Sequence, residues 1–180
     1  MIAEETLIKE LKAKETQSTA FETLVSNYKE RLYWHIRRIV LNHDDADDVL
    51  QNTFIKVYRN IEGFKGESKL FSWMYRIATN EALSFLKQKS LKLGVSDGEY
   101  QERMVQNLQA DVYFEGDEIQ LKLQRAIATL PEKQKLIFNM KYFEELKYAE
   151  ISEILDTSVG GLKASYHLAV KKIESFLKED

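Results

Sequence analysis

Cysteine is missing from all 180 residues, which excludes disulfides and thiolate metal sites. Proline occurs once, at Pro131, and glycine seven times, so long stretches carry no helix breaker. No apolar run approaches the ~20 residues that a membrane-spanning helix requires. The opening Met1-Ile2-Ala3-Glu4-Glu5 has no basic-then-apolar leader. A cytoplasmic protein without membrane insertion is expected. Catalytic signatures are lacking too. There is no glycine-rich phosphate loop, no paired-histidine ligand motif and no Gly-x-Ser-x-Gly elbow. The three histidines, at 35, 43 and 167, are scattered. Asp44, Asp45, Asp47 and Asp48 beside His43 match no hard-cation loop. The chain therefore reads as a non-enzyme with no cofactor and no metal.

What is present is helical. Hydrophobic residues at 44% and charged residues at 31% are the balance of a folded globular chain, and the spacing of the apolar positions is that of an all-α protein. Thr6 to Lys14 is a short amphipathic stretch. Thr19-Ala20-Phe21-Glu22 has the form of a capping box, opening a helix to about Leu41 with apolar residues near period 3.6. Asp44-Asp45 opens a second helix, with acids where the helix dipole favours them. A loop, Glu62 to Lys69, precedes a third helix from Leu70 to Lys89. Periodicity fades from Ser90 to Gly116, which reads as a linker. Helices resume near Asp117, with Pro131 at a first helical position. A short helix, Tyr148 to Leu155, a turn, Asp156-Thr157-Ser158, and a last helix, Val159 to Lys178, complete the chain.

Charge is distributed unevenly beneath a net value of −3. Gly63 to Lys92 holds six basic residues against two acidic, whereas Asp97 to Glu118 holds seven acidic against one basic. A basic module is followed by an acidic tether. Two segments have the chemistry of nucleic-acid contact. The last two helices form a helix-turn-helix pattern. Its final helix has an apolar stripe of Val159, Leu162, Tyr166, Ala169, Val170, Ile173 and Leu177, while Lys163, His167 and Lys171 follow at i, i+4, i+8 on another face. Ser158 can cap that helix, and Gly160 and Gly161 permit close backbone approach. The second segment interleaves Phe64, Phe71, Trp73, Tyr75 and Phe85 with Lys65, Lys69, Arg76, Lys87 and Lys89. Aromatic faces stack on unpaired bases and cations track phosphates, which suits melted DNA. Trp73 and Ile77 have helical spacing and are read as at least partly core, which leaves Phe64 to Lys69 as the better base contacts. A plain helical hairpin with solvated lysines would produce the first pattern equally well.

Four stretches resemble the extracytoplasmic-function (ECF) group of bacterial RNA polymerase sigma factors: Asp45 to Phe54, Phe64 to Ser68 with Trp73 to Asn80, Leu130 to Gln134, and Tyr148 to Ile173. The resemblance implies two small helical domains, a region 2-like one over 1–89 and a region 4-like one over 117–180, joined by a flexible acidic linker over 90–116. It implies that Asp45, Asp48, Val49, Gln51, Asn52 and Ile55 meet core RNA polymerase. It implies that Phe64, Lys65, Gly66, Glu67, Ser68, Lys69, Trp73, Arg76, Asn80 and Lys87 meet the melted −10 strand. It further implies that Ser158, Gly160, Gly161, Lys163, Ala164, His167, Lys171 and Lys172 meet the −35 duplex. Partners would be core polymerase and promoter DNA, with room for an anti-sigma factor. Ser84, Lys87, Ala164 and Leu168 depart from the residue types frequent in the family. The rival readings are a stand-alone helix-turn-helix regulator and a helical scaffold that binds only proteins.

Overall fold

Each apolar stripe becomes a helix with one buried face. The computed structural model describes residues 3–111 and 116–179, so residues 112–115, within the expected linker, lie outside the described residues. The helices are α1 (Glu4–Lys12), α2 (Gln17–Val40), α3 (His43–Asn60), α4 (Leu70–Leu93), α5 (Asp97–Gln106), α6 (Glu118–Ala128), α7 (Glu132–Tyr142), α8 (Tyr148–Leu155) and α9 (Val159–Lys178). No strand forms among the described residues.

Helices α2, α3 and α4 pack on one another, with α1 against α2. Their shared core includes Leu24, Leu32, Ile36, Val57, Leu70 and Met74. Each such side chain contributes about 1.5–3 kcal/mol by leaving water. In the second group, α9 packs on α6, α7 and α8. The two groups also touch. Helix α8 lies on α4 and α7 on α2, so that Ile137, Met140, Leu146, Ile151, Ile154 and Leu162 join the core of the first group.

Several boundaries differ from the sequence expectations. Helix α2 begins at Gln17, so Thr19 lies inside it and caps nothing; the Thr19 carbonyl instead accepts from the Thr23 hydroxyl at 3.1 Å. Pro131 stands one position before α7 with extended backbone, where its carbonyl accepts from Lys135 N at 3.0 Å. Val159, expected on the apolar stripe of the last helix, is exposed, whereas Leu162, Ala169 and Ile173 of the same stripe are buried.

The segment expected as a linker is more ordered than its polar composition suggests. Helix α4 continues to Leu93 and stops at Gly94, whose φ of 66° needs no Cβ. Ser96 and Glu99 then form a reciprocal capping box, and α5 buries Tyr100 and Val105. Those bonds hold the Glu99 carboxyl below its usual range. Two apolar anchors in ten residues are too few to produce a legible period. Asp111 pairs with Arg37 of α2.

Candidate polymerase and nucleic-acid interfaces

The face proposed to read duplex DNA is built by α9. Burying Leu162, Ala169 and Ile173 against α6 to α8 turns the opposite side of the helix to solvent. Ser158, Gly160, Lys163, Ala164, His167, Lys171 and Lys172 are all exposed, and Gly161 is half-buried. The Ser158 hydroxyl accepts from Gly161 N at 3.2 Å, which fixes the start of the helix. A Cβ on Gly161 would stand 3.2 Å from that hydroxyl, whereas Gly160 faces open space. Lys163 Nζ lies 5.8 Å from the Tyr148 ring centroid. Lys172 donates to the Gln134 side chain at 3.2 Å. The turn before α9 is tight because Asp156 adopts the left-handed conformation at φ 50°, which a short polar side chain tolerates.

The aromatic-basic segment divides differently from the expectation. Phe64 is only 4% exposed; its ring meets Trp73 with centroids 5.1 Å apart, and its carbonyl accepts from Lys12 Nζ at 2.5 Å. Phe64, expected as a base contact, thus packs in the core and reaches the cleft below only with its small exposed part. Lys65, Gly66, Glu67 and Lys69 are exposed, Ser68 and Trp73 half-buried. Gly66 carries the left-handed φ of 74° that turns this loop. Arg76, Asn80 and Lys87 are exposed along α4. A cleft between the loop and α4 is lined by Phe64, Lys65, Ser68, Trp73, Arg76 and, from α8, Glu153.

On α3, Asp48, Gln51, Asn52 and Ile55 form one exposed face, and Ile55, at 46% exposure, is unusual for so large an apolar side chain. Val49, at 1%, belongs to the core. At helical spacing it points opposite to Gln51, away from the exposed face that carries the other expected polymerase contacts. Asp45 is turned toward α4 and pairs with Lys89 at 3.3 Å. The Asn42 side chain caps α3 by accepting from Asp45 N, which leaves the aspartates free of that duty.

One constellation was not anticipated. His35 of α2, 1% exposed, places Nδ1 2.9 Å from Glu144 Oε1 and Nε2 2.7 Å from Thr79 Oγ1. Thr79 donates its hydroxyl proton to the Tyr75 carbonyl at 2.7 Å, so both ring nitrogens face acceptors. Burial and then the Glu144 carboxylate push the Tyr75 hydroxyl above its ordinary range. Arg38 covers the Phe143 ring at 5.3 Å, and burial pulls its guanidinium down despite the opposing influence of Glu144. These residues join α2 and α4 to the loop between α7 and α8, residues 143–147. In the sequence, His35 sits next to Ile36 on an apolar helix, a position that reads only as core.

The sigma-70 region 2 family matches residues 24–91, and the sigma-70 region 4 family matches residues 120–173. The ECF RNA polymerase sigma factor SigW of Bacillus subtilis is 31% identical over 174 residues, covering 92% of this chain and 93% of that protein. The chain belongs to the ECF sigma factors. Solved structures agree in fold with this sigma factor. CnrH, in complex with the cytosolic domain of CnrY, superposes with a TM-score of 0.73 at 17% identity, over 99% of both chains. The sigma factor RpoE from Bartonella quintana, in complex with the anti-sigma factor NepR, gives 0.64 at 19% identity, over 89% of this chain and 98% of that one. The region 2 match spans α3, the cleft and α4, and the region 4 match spans the helix-turn-helix. No helix among the described residues is long and apolar enough to cross a membrane.

Proposed function

We propose that this chain is a promoter-recognition subunit of bacterial RNA polymerase that acts in the cytoplasm, directing core enzyme to −35 and −10 elements and assisting strand opening. The observation that carries this is the exposed Lys163–His167–Lys171 face of α9, set on a helix-turn-helix, in a chain of the ECF family. Residues 1–89 act as the core- and −10-binding unit and 117–180 as the −35-binding unit. The exposed Asp48, Gln51, Asn52 and Ile55 dock on core polymerase. Lys65, Lys69, Arg76, Asn80 and Lys87 track the melted strand, with Trp73 as the aromatic surface. The α9 face enters the −35 major groove, with Lys171 and Lys172 near phosphates. Nucleotidyl transfer belongs to the polymerase, and this chain performs no covalent chemistry. Capturing unpaired bases stabilises the open strands, because binding energy realised only in the melted state shifts the equilibrium toward it. An anti-sigma factor is a further partner on this reading.

Run-off transcription with core polymerase on a fragment library tests the assignment. New start sites are expected that are lost with Gln51→Ala or Lys163→Ala. A protein that neither redirects core polymerase nor co-purifies with it would favour the stand-alone regulator.

A further inference from the structure

The apolar residues of α9 do not all serve its core. Leu162, Ala169 and Ile173 are buried against the neighbouring helices, whereas Leu168 is 50% exposed. One exposed leucine needs no explanation by itself; the neighbours of this one give it a meaning. Successive residues of an α-helix are turned by about 100°, so Leu168 stands on the exposed face one step around from His167. That face carries two parallel rows at i, i+4 spacing. Lys163, His167 and Lys171 form one, Ala164, Leu168 and Lys172 the other, and all six residues are exposed. The first row is built of charged and hydrogen-bonding groups. The second is apolar in its first two members. The start of the face is shallow: a Cβ at Gly160 would meet nothing within 4 Å, and Ala164 carries no more than its Cβ. A duplex can therefore approach the helix backbone closely enough for the longer Leu168 side chain to reach a base edge.

We propose that Leu168 is a specificity-determining residue of the −35 contact, selecting thymine at one position by packing on its C5-methyl group. This deepens the −35 reading of α9 and rests on it. A leucine side chain offers no hydrogen bond, and the apolar group that a base edge presents in the major groove is the thymine methyl. A donor or acceptor of another base at the same place would lose its water to a hydrocarbon that returns no hydrogen bond. Selection thus comes from the penalty on the wrong base as well as from the attraction of the right one. The two rows divide the reading between them. Lys163 and His167 supply polar contacts, of which a lysine suits guanine O6 and N7, and Leu168 supplies the apolar one. Lys171 and Lys172 end both rows with cations, which suit phosphates and fix the register of the helix on the duplex.

A duplex library randomised over the −35 region is selected with core polymerase carrying either the full-length wild type or Leu168→Ala, and the retained fragments are sequenced. The wild type is expected to enrich thymine at a position where Leu168→Ala enriches no base, with the remaining preferences kept. On a retained duplex, deoxyuridine then replaces each −35 thymine in turn, which deletes the methyl and keeps every hydrogen-bonding group. At one position the replacement is expected to weaken wild-type binding about fourfold, the worth of one buried methyl, and to leave binding of Leu168→Ala unchanged. A wild type that enriches no thymine, or that is indifferent to uracil at every position, overturns the methyl contact, and does so even if the variant fails to fold. A folded Leu168→Ala that keeps the same thymine preference and the same sensitivity to uracil overturns it as well. A holoenzyme that retains promoter fragments with no −35 preference of any kind overturns the −35 reading of α9, and the role of Leu168 with it.

Discussion

The two surfaces that carry basic residues have opposite fates in the same molecule. On α9, Lys163, His167 and Lys171 face solvent with only peripheral neighbours. On α4 and its preceding loop, Arg76 and Lys69 face α8. The difference arises from what lies on the other side of each helix. The apolar stripe of α9 is satisfied by α6, α7 and α8, so its polar face has nothing left to bury. Helix α8 has two apolar commitments, to α9 and to α4, and its polar atoms are carried onto the basic surface with it. Both faces stay exposed, but only on α4 do two of the cations already have partners within the protein.

The largest effect is expected at the buried pair. His35→Ala leaves Glu144 buried without its partner, and the folded protein is expected to lose about 3–5 kcal/mol. Urea unfolding of the full chain should show the loss as a lower midpoint, or as an early step if the two helical groups separate first. Ile151→Ala removes apolar volume from the shared core and is expected to lower stability by about 2–4 kcal/mol. An unfolding midpoint unchanged by Ile151→Ala would show that this side chain does not hold α8 on α4.

The open surface should behave differently. Lys163→Ala is expected to leave the thermal midpoint unchanged, since an exposed substitution shifts stability by less than about 0.5 kcal/mol. In the holoenzyme it should weaken duplex binding and reduce the salt slope by about one counterion, as read from binding titrations at several salt concentrations. The smallest effect is expected at Gly160, where an added Cβ meets nothing within the protein. Gly160→Ala should raise helix stability by about 0.5–1 kcal/mol while weakening −35 binding, if the first turn of α9 approaches DNA. A gain in stability with unchanged DNA binding would remove Gly160 from the interface.

Much of the site was legible in one dimension. The turn Asp156-Thr157-Ser158 and the exposed cations after it follow from period and capping alone. So does the exposed run of Asp48, Gln51, Asn52 and Ile55, which lies opposite a clear apolar stripe. The burial of Phe64 was not legible, because Phe64 lies in a loop, where no period tells inside from outside. Val49 is buried as its place on the apolar stripe of α3 requires, turned away from Gln51. The order of α5 was not legible because a capping box and two buried side chains, Tyr100 and Val105, suffice to hold a short helix against α6, which supplies the rest of its apolar contact.

The sequence by itself determined the helical class, the order of the helices outside the 90–116 segment and the solvent face of α9. These depend on local propensity and on the spacing of apolar residues within single helices. Only the tertiary structure decided that His35 meets Glu144 across 109 positions, that Arg76 bonds to the end of α8, and that Lys69 faces Glu150. Those contacts join residues far apart in the chain, through which no period or local propensity can be read. Their geometry is set by how two apolar faces of α8 are satisfied at once.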